Sequence, residues 1–440
     1  MAVGSWMRSR VPLPRDVVVL GLIAFCVAVG FGVLIPVLPV FARSFGVGNL
    51  EVGAVVSVFA LMRLLSSSFC GRLITAAGER VVLTTGIFIV ALSSGLAGIA
   101  GSYAQLLVLR GIGGIGSAMF TVSALTLLLN SVPAEMRGRA SGFFQGGFLI
   151  GGMAGPAVGG LLAAISLTAP FFFYAATLAV AGAVGLVLLH RGAGRIRPSE
   201  ETVVPFRQVL RDPRYQAACL SNLAQGWTSF GVRSSLVPVF VVEVLDRPTS
   251  WTGAAFACAA VAQTIAVGPA GRFVDLVGRK PAIVGGSALA AVSIFAVPFV
   301  PGIGLLIVAL CAYGVASAFL GTAPAASVGD AAGGRGGTAV AVFSMCSDVG
   351  AILGPLVAGV LADQMSYPVA FGVGAALLLV ASANALRMPP DSLRPPADAA
   401  APADVTQEQQ GPDLGGLEQH GPQPKEPRQK GSSGESTTVE

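Results

Sequence analysis

Four charged residues sit deep inside otherwise apolar stretches of this 440-residue chain: Arg63, Arg110, Arg233 and Asp348. A charge at the centre of a membrane helix costs ~2.5–3.5 kcal/mol on insertion scales, so such residues face a cavity or a partner and mark a path for ions or polar solutes. Two of them lie at matching depth. Arg63 is about twelve residues inside one end of its apolar run, and Asp348 about ten inside the opposite end of its own. At helical rise these depths are ~18 Å and ~15 Å, which coincide in a hydrocarbon core ~30 Å thick. A midplane ion pair between them is therefore expected, one that protonation of Asp348 would break. Arg110 and Arg233 lie nearer an edge, where a long side chain can also snorkel to the interface. Glu51 and Glu243 stand at the ends of their runs.

Other chemistry is thinly represented. The six cysteines lie in or beside apolar runs with no pairing or metal-ligand spacing, and the two histidines, His190 and His420, are far apart. They read as packing thiols and isolated imidazoles, so neither a metal nor a cofactor is expected. The glycine-rich GIGGIG at 111–116 sits inside an apolar run rather than after a strand, which makes it a packing face and not a nucleotide loop. No nucleophile–base pair stands out, so an enzyme is disfavoured. Nothing points to nucleic acid as a partner.

The elements that must hold these charges are membrane helices. Hydrophobic residues make up 54% of the chain and charged ones 11%, against about 25% charged in soluble domains. Such a surface faces a lipid bilayer. Windows of ~19 residues give twelve spans, at 17–40, 51–70, 81–100, 103–130, 140–165, 169–190, 215–242, 252–271, 281–300, 303–328, 338–362 and 367–386. Arg and Lys cluster before the first span and after every second one, and the opposite loops hold only Arg43 and Arg247. The positive-inside rule then predicts both termini and the central loop to be cytoplasmic.

The chain also repeats at a period of about 200 residues: GRLITAAGER (71–80) aligns with GRFVDLVGRK (271–280), and GPAVGG (155–160) with GPLVAG (354–359). This predicts an all-α membrane fold of two pseudo-symmetric six-helix bundles, 17–190 and 215–387, with parallel repeats that place a substrate path between them. A cytoplasmic N-terminus (1–16), a cytoplasmic linker (191–214) and a disordered cytoplasmic tail (388–440) complete the expected organisation, the tail being too poor in apolar bulk to fold.

On these residues the chain resembles the major facilitator superfamily, in its twelve-helix drug–proton antiporter branch. GRFVDLVGRK carries the family's loop motif, with Gly271, Asp275, Gly278, Arg279 and Lys280 in place. The resemblance implies a latch that holds one conformation shut on the cytoplasmic side. LVLRGIGGIGSA matches a second motif through Arg110, implying proton or substrate handling, and Gly142, Gly151, Gly155, Pro156, Gly159 and Gly160 match the antiporter-type motif of the fifth span. Small residues recurring on one face there would let a neighbouring helix approach closely. The first-half loop departs from the pattern, with Thr75 in place of the acid and Glu79 in place of the first arginine, and the first span holds no acid between Val17 and Val40.

The resemblance implies alternating-access export, across the cell membrane, of a small organic solute in exchange for protons, by a chain that works as a monomer without a cofactor. A proton symporter or facilitator for uptake is the alternative among carriers, and a transport-inactive sensor or scaffold the alternative of another class. By the same analogy Asn222, Gln225, Trp227, Arg233, Gln263 and Gln145 are the candidates to line the cavity.

Overall fold

A computed structural model describes residues 13–132, 136–189, 206–331 and 337–389. Most of the 191–214 linker and nearly all of the 388–440 tail lie outside these residues.

Among the described residues every regular element is helical. The first bundle contains α1 (Arg15–Leu34), the short α2 (Leu38–Arg43), α3 (Asn49–Ala77), α4 (Glu79–Ala97), α5 (Tyr103–Asn130), α6 (Arg137–Ile165) and α7 (Ala169–Leu188). The short α8 (Phe206–Val209) precedes the second bundle, formed by α9 (Pro213–Gly226), α10 (Leu236–Glu243), α11 (Thr249–Leu276), α12 (Arg279–Ala296), α13 (Ile303–Ala331), α14 (Gly337–Gln364) and α15 (Tyr367–Ala385). Eleven of these helices are long and apolar enough to cross a bilayer. The remaining expected crossing, at 215–242, is not one helix: a π-helical segment, Trp227–Ser234, joins α9 to α10. Gly226 and Gly231 press there on the α14 backbone at Ser347 and Gly354, and Pro238 lacks an N–H four residues after Ser234. Thr228 and Ser235 hydroxyls donate to the carbonyls of Ala224 and Gly231, satisfying backbone acceptors that lipid cannot.

Packing within each bundle follows the repeat. α1 lies on α6 and α7, and α5 on α3 and α4; in the second bundle α13 lies on α11 and α12, and α14 on α9. Equivalent glycines open the fourth and twelfth helices, Gly78 with φ 83° and Gly278 with φ 118°. Only glycine enters that region freely, so the motif loops turn tightly in both halves.

The sixth helix departs from a single small-residue face. A Cβ would come within 2.5 Å of the Gly21 carbonyl oxygen at Gly147, 2.5 Å of the Phe25 oxygen at Gly151, 2.6 Å of Gly32 Cα at Gly155 and 2.3 Å of the Val33 oxygen at Gly159. That four-residue row seats α6 on α1. Gly160 instead meets Gly253 of α11, so it serves the contact between bundles, while Gly142 has nothing within 4 Å. The motif therefore faces two partners, and its first glycine faces none. Pro156 stands between both contacts, its Cδ beside Gly32 and its carbonyl beside Gly253.

The bundles meet along α3 with α14 and α6 with α11, with α2 touching α10. At the loop end, which carries residues 44–48 and 244–248, the contact is close. Arg43 Nε donates to Glu243 Oε1 at 2.6 Å, and this bond holds the Arg43 guanidinium above its ordinary pKa. Asp363 of α14 accepts from the backbone N–H groups of Asn49 (3.0 Å) and Leu50 (2.9 Å) and from the Asn49 amide (2.7 Å). It caps α3 from the opposite bundle, where Gly48 offers no side chain to do so. Deeper in, Ser57 Oγ donates to the Ile352 oxygen at 2.7 Å.

Candidate functional site

α3 carries Phe59, Arg63 and Ser67 at four-residue intervals, hence on one face, and α14 presents Ser344, Ser347 and Asp348 to it. Where the two helices begin to part, Arg63 Nη2 donates to Asp348 Oδ1, forming an ion pair across the bundles. The side chains keep 33% and 23% of their exposure, because the pair borders open space on both sides.

Towards the termini end lies a cavity of about 410 Å³, lined by the pair and by hydroxyl and amide groups: Ser67, Thr121, Asn222, Ser344 and Ser347. Asn222 gives its amide to the Phe343 oxygen at 2.7 Å. A second cavity, about 310 Å³, reaches from Arg63 into the first bundle between Phe31, Phe59, Phe120, Phe148 and Tyr174. Arg63 and Thr121 belong to both walls. The first cavity sets its polar groups beside Leu64, Ala118 and Val122 and the second is walled largely by rings, so an amphipathic molecule can place its polar end in the first and its apolar end in the second.

Arg110 does not snorkel. It is 5% exposed, with its guanidinium 4.4 Å above the Phe59 ring and its Nε buried without a hydrogen bond. Arg233, in the π-helical segment, points into the second bundle against Phe256 (5.4 Å) and Tyr313 (5.7 Å), again with Nε unpartnered. Among the remaining cavity candidates, Gln225 donates to Ser317 Oγ at 3.2 Å, and Trp227 packs on the α14 glycines with its indole N–H buried and unbonded. Gln263 is half-buried on α11 beside Gly314. Gln145 shares a helical face with Phe148 and Gly152, which line the aromatic cavity.

The loop motif binds within its own bundle in this conformation. Arg279 Nη2 donates to Asp330 Oδ1 at 3.1 Å, and Lys280 Nζ to the Met388 oxygen at 2.9 Å. Asp275 is exposed and carries no bond among the described residues. In the first bundle Asn130 Nδ2 donates to Glu79 Oε1 at 3.2 Å. Glu79 and Asn130 stand 200 positions before Arg279 and Asp330. The departure at Glu79 is thus half of a paired exchange, an acid with an amide in one bundle and a base with an acid in the other, at the same joint.

Residues 20–259 and 248–428 match, in succession, the profile of the Major Facilitator Superfamily. The chain belongs to this superfamily. It is 26% identical over 330 residues to the synaptic vesicular amine transporter of Mus musculus, covering 73% of this chain and 62% of that protein. Quinolone resistance protein NorA of Staphylococcus aureus is 27% identical over 176 residues, 40% of this chain and 45% of that one. The chain thus spans less than two thirds of either relative. A bacterial homologue of the human lysosomal transporter Spinster, solved inward-facing and occupied, shares the fold with a TM-score of 0.66 at 17% identity, over 84% of this chain and 95% of that one. The family and the fold are those of a multi-pass membrane protein.

Proposed function

We propose that the protein exports a small amphipathic organic solute from the cytoplasm, through the cell membrane, in exchange for protons, working by alternating access as a monomer. The Arg63–Asp348 pair carries this reading, because it ties the two bundles between a polar and an aromatic cavity. A proton on Asp348 removes the charge that holds Arg63. A solute polar group releases the same tie by competing for one of its members. Either ligand frees the bundles to rock, and the empty carrier re-forms the pair, which enforces exchange. The basic loops support a cytoplasmic termini end; on that reading the polar cavity opens inward and Asp275 is the acid that latches that end when it shuts. The names of NorA and the vesicular amine transporter support an organic solute. Proton symport is the second reading, favoured by the lack of an acid between Val17 and Val40.

The test uses the full chain in liposomes loaded with a pH-sensitive dye. Compound-dependent proton movement opposite to compound flux, abolished in Asp348→Asn, is expected. Flux in the same direction as protons establishes symport, and normal proton coupling in Asp348→Asn refutes the role of the pair.

A further inference from the structure

The interior charges do not balance. Among the described residues, and leaving aside Glu79 at the termini end, three arginines lie deep within the bundles against one carboxylate, and Asp348 is already engaged by Arg63. An arginine stays protonated at any accessible pH, and an aromatic face offsets only part of the desolvation of a full charge. Arg110, buried on Phe59 with its Nε unbonded, therefore has no counter-charge among the described residues.

The space beside it has the size of that counter-charge. Arg110 lines a pocket of about 30 Å³ with Phe31, Ile35, Val56, Phe230 and Ser234, drawn from both bundles. That volume exceeds the ~10–15 Å³ one water needs and suits a two-oxygen group. Phe31 and Ile35 also wall the aromatic cavity, so the two spaces adjoin.

We propose that the transported solute is an organic anion whose carboxylate, or comparable monoanionic group, sits at Arg110 while its apolar body fills the aromatic cavity. This rests on the transport reading above. It adds the sign of the solute's charge. A cationic solute would instead meet the guanidiniums of Arg110 and Arg63 and have to take Asp348 from Arg63.

Three probes with one ring system test it: 2-naphthoate, methyl 2-naphthoate and 2-naphthylmethylamine, measured for binding to the purified full chain by equilibrium dialysis and for flux in liposomes. 2-Naphthoate is expected to bind at least about tenfold more tightly than either other probe, and to lose at least about tenfold in Arg110→Gln with the ester unchanged. Ser234→Asp, which places a carboxylate in the pocket without removing the arginine, should abolish the preference as well. Tighter binding of the amine, or an acid preference that survives both variants, overturns the anion site. Flux of amine or ester without flux of acid overturns it while transport stands. Arg110-dependent binding of the acid with no flux refutes transport and leaves the site.

Discussion

Replacing Asp363 by alanine should loosen the loop end without unfolding the chain. The carboxylate caps α3 from the other bundle, accepting from Asn49 N, Leu50 N and Asn49 Nδ2. Loss of an N-cap costs about 0.5–2 kcal/mol, and a negative charge at a helix N-terminus is worth a further ~0.3–1 kcal/mol. Asp363 is solvent-exposed, which screens the charge. A net loss of ~1–1.4 kcal/mol remains, a five- to tenfold rise in the population open at that end. Hydrogen–deuterium exchange over residues 44–56 reads this directly, since those amides exchange when the bundles part. Rates there should rise five- to tenfold while those of 282–294, inside α12, stay fixed. Asp363→Asn, which keeps one acceptor oxygen, should fall between. Unchanged exchange at 44–56, or an equal rise at 282–294, would refute the trans-cap.

Glu79→Arg alone places a base beside Asn130 and should destabilise the first bundle by ~1–2 kcal/mol, whereas Glu79→Arg with Asn130→Asp rebuilds the joint of the second bundle and should recover most of the thermal midpoint. Gly151→Ala puts a methyl 2.5 Å from the Phe25 oxygen and should cost ~1–3 kcal/mol by overpacking, visible as a lowered melting temperature; Gly142→Ala, with nothing within 4 Å, should be neutral or stabilising. Arg63→Leu leaves Asp348 without its cation and should destabilise more than Arg63→Leu with Asp348→Leu, because one unpaired charge in low dielectric is worse than none. A double-mutant cycle on melting temperature checks the order.

The crossings, the repeat and the level of Arg63 with Asp348 were legible in the sequence because lipid forces them. A backbone that cannot bond to solvent must form long apolar helices, and a charge inside one stands out. The cavity walls left no such trace. Phe31, Phe59, Phe148 and Tyr174 lie on helices apolar on every side, where lipid-facing and cavity-facing rings look alike in sequence. Arg110 was visible, but its direction was not: the same depth permits an interface or a buried ring stack. The π-helical break had only Gly226, Gly231 and Pro238 as signals, and Pro156, Pro269, Pro324 and Pro355 sit in helices that run on. Asp363 read as an ordinary helix-end charge, because a cap supplied by the opposite bundle has no local spacing. The Glu79–Asn130 joint was within reach, since the 200-residue offset pairs it with Arg279–Asp330.

The placement of these ties bears on how exchange at the Arg63–Asp348 pair would work. At the termini end the named bonds run inside a bundle: Glu79 with Asn130, Arg279 with Asp330, Lys280 with the Met388 oxygen. At the loop end they run between bundles, joined by backbone contacts so close that Gly53 could not carry a Cβ beside the Pro355 oxygen. Contacts of that kind do not stretch. A gap of 0.5–1 Å already forfeits about a quarter to a half of the dispersion well, and a polar tie is made or lost over a similar distance. Closure at the loop end is therefore close to all-or-none, while each bundle stays internally braced. On the proposed reading, two braced bundles with a seam that is either shut or parted, tied by the Arg63–Asp348 pair, would form a two-state device. In the proposed exchange the Asp363 trans-cap would set how often the seam parts at rest, and a proton on Asp348 would decide whether parting it is useful.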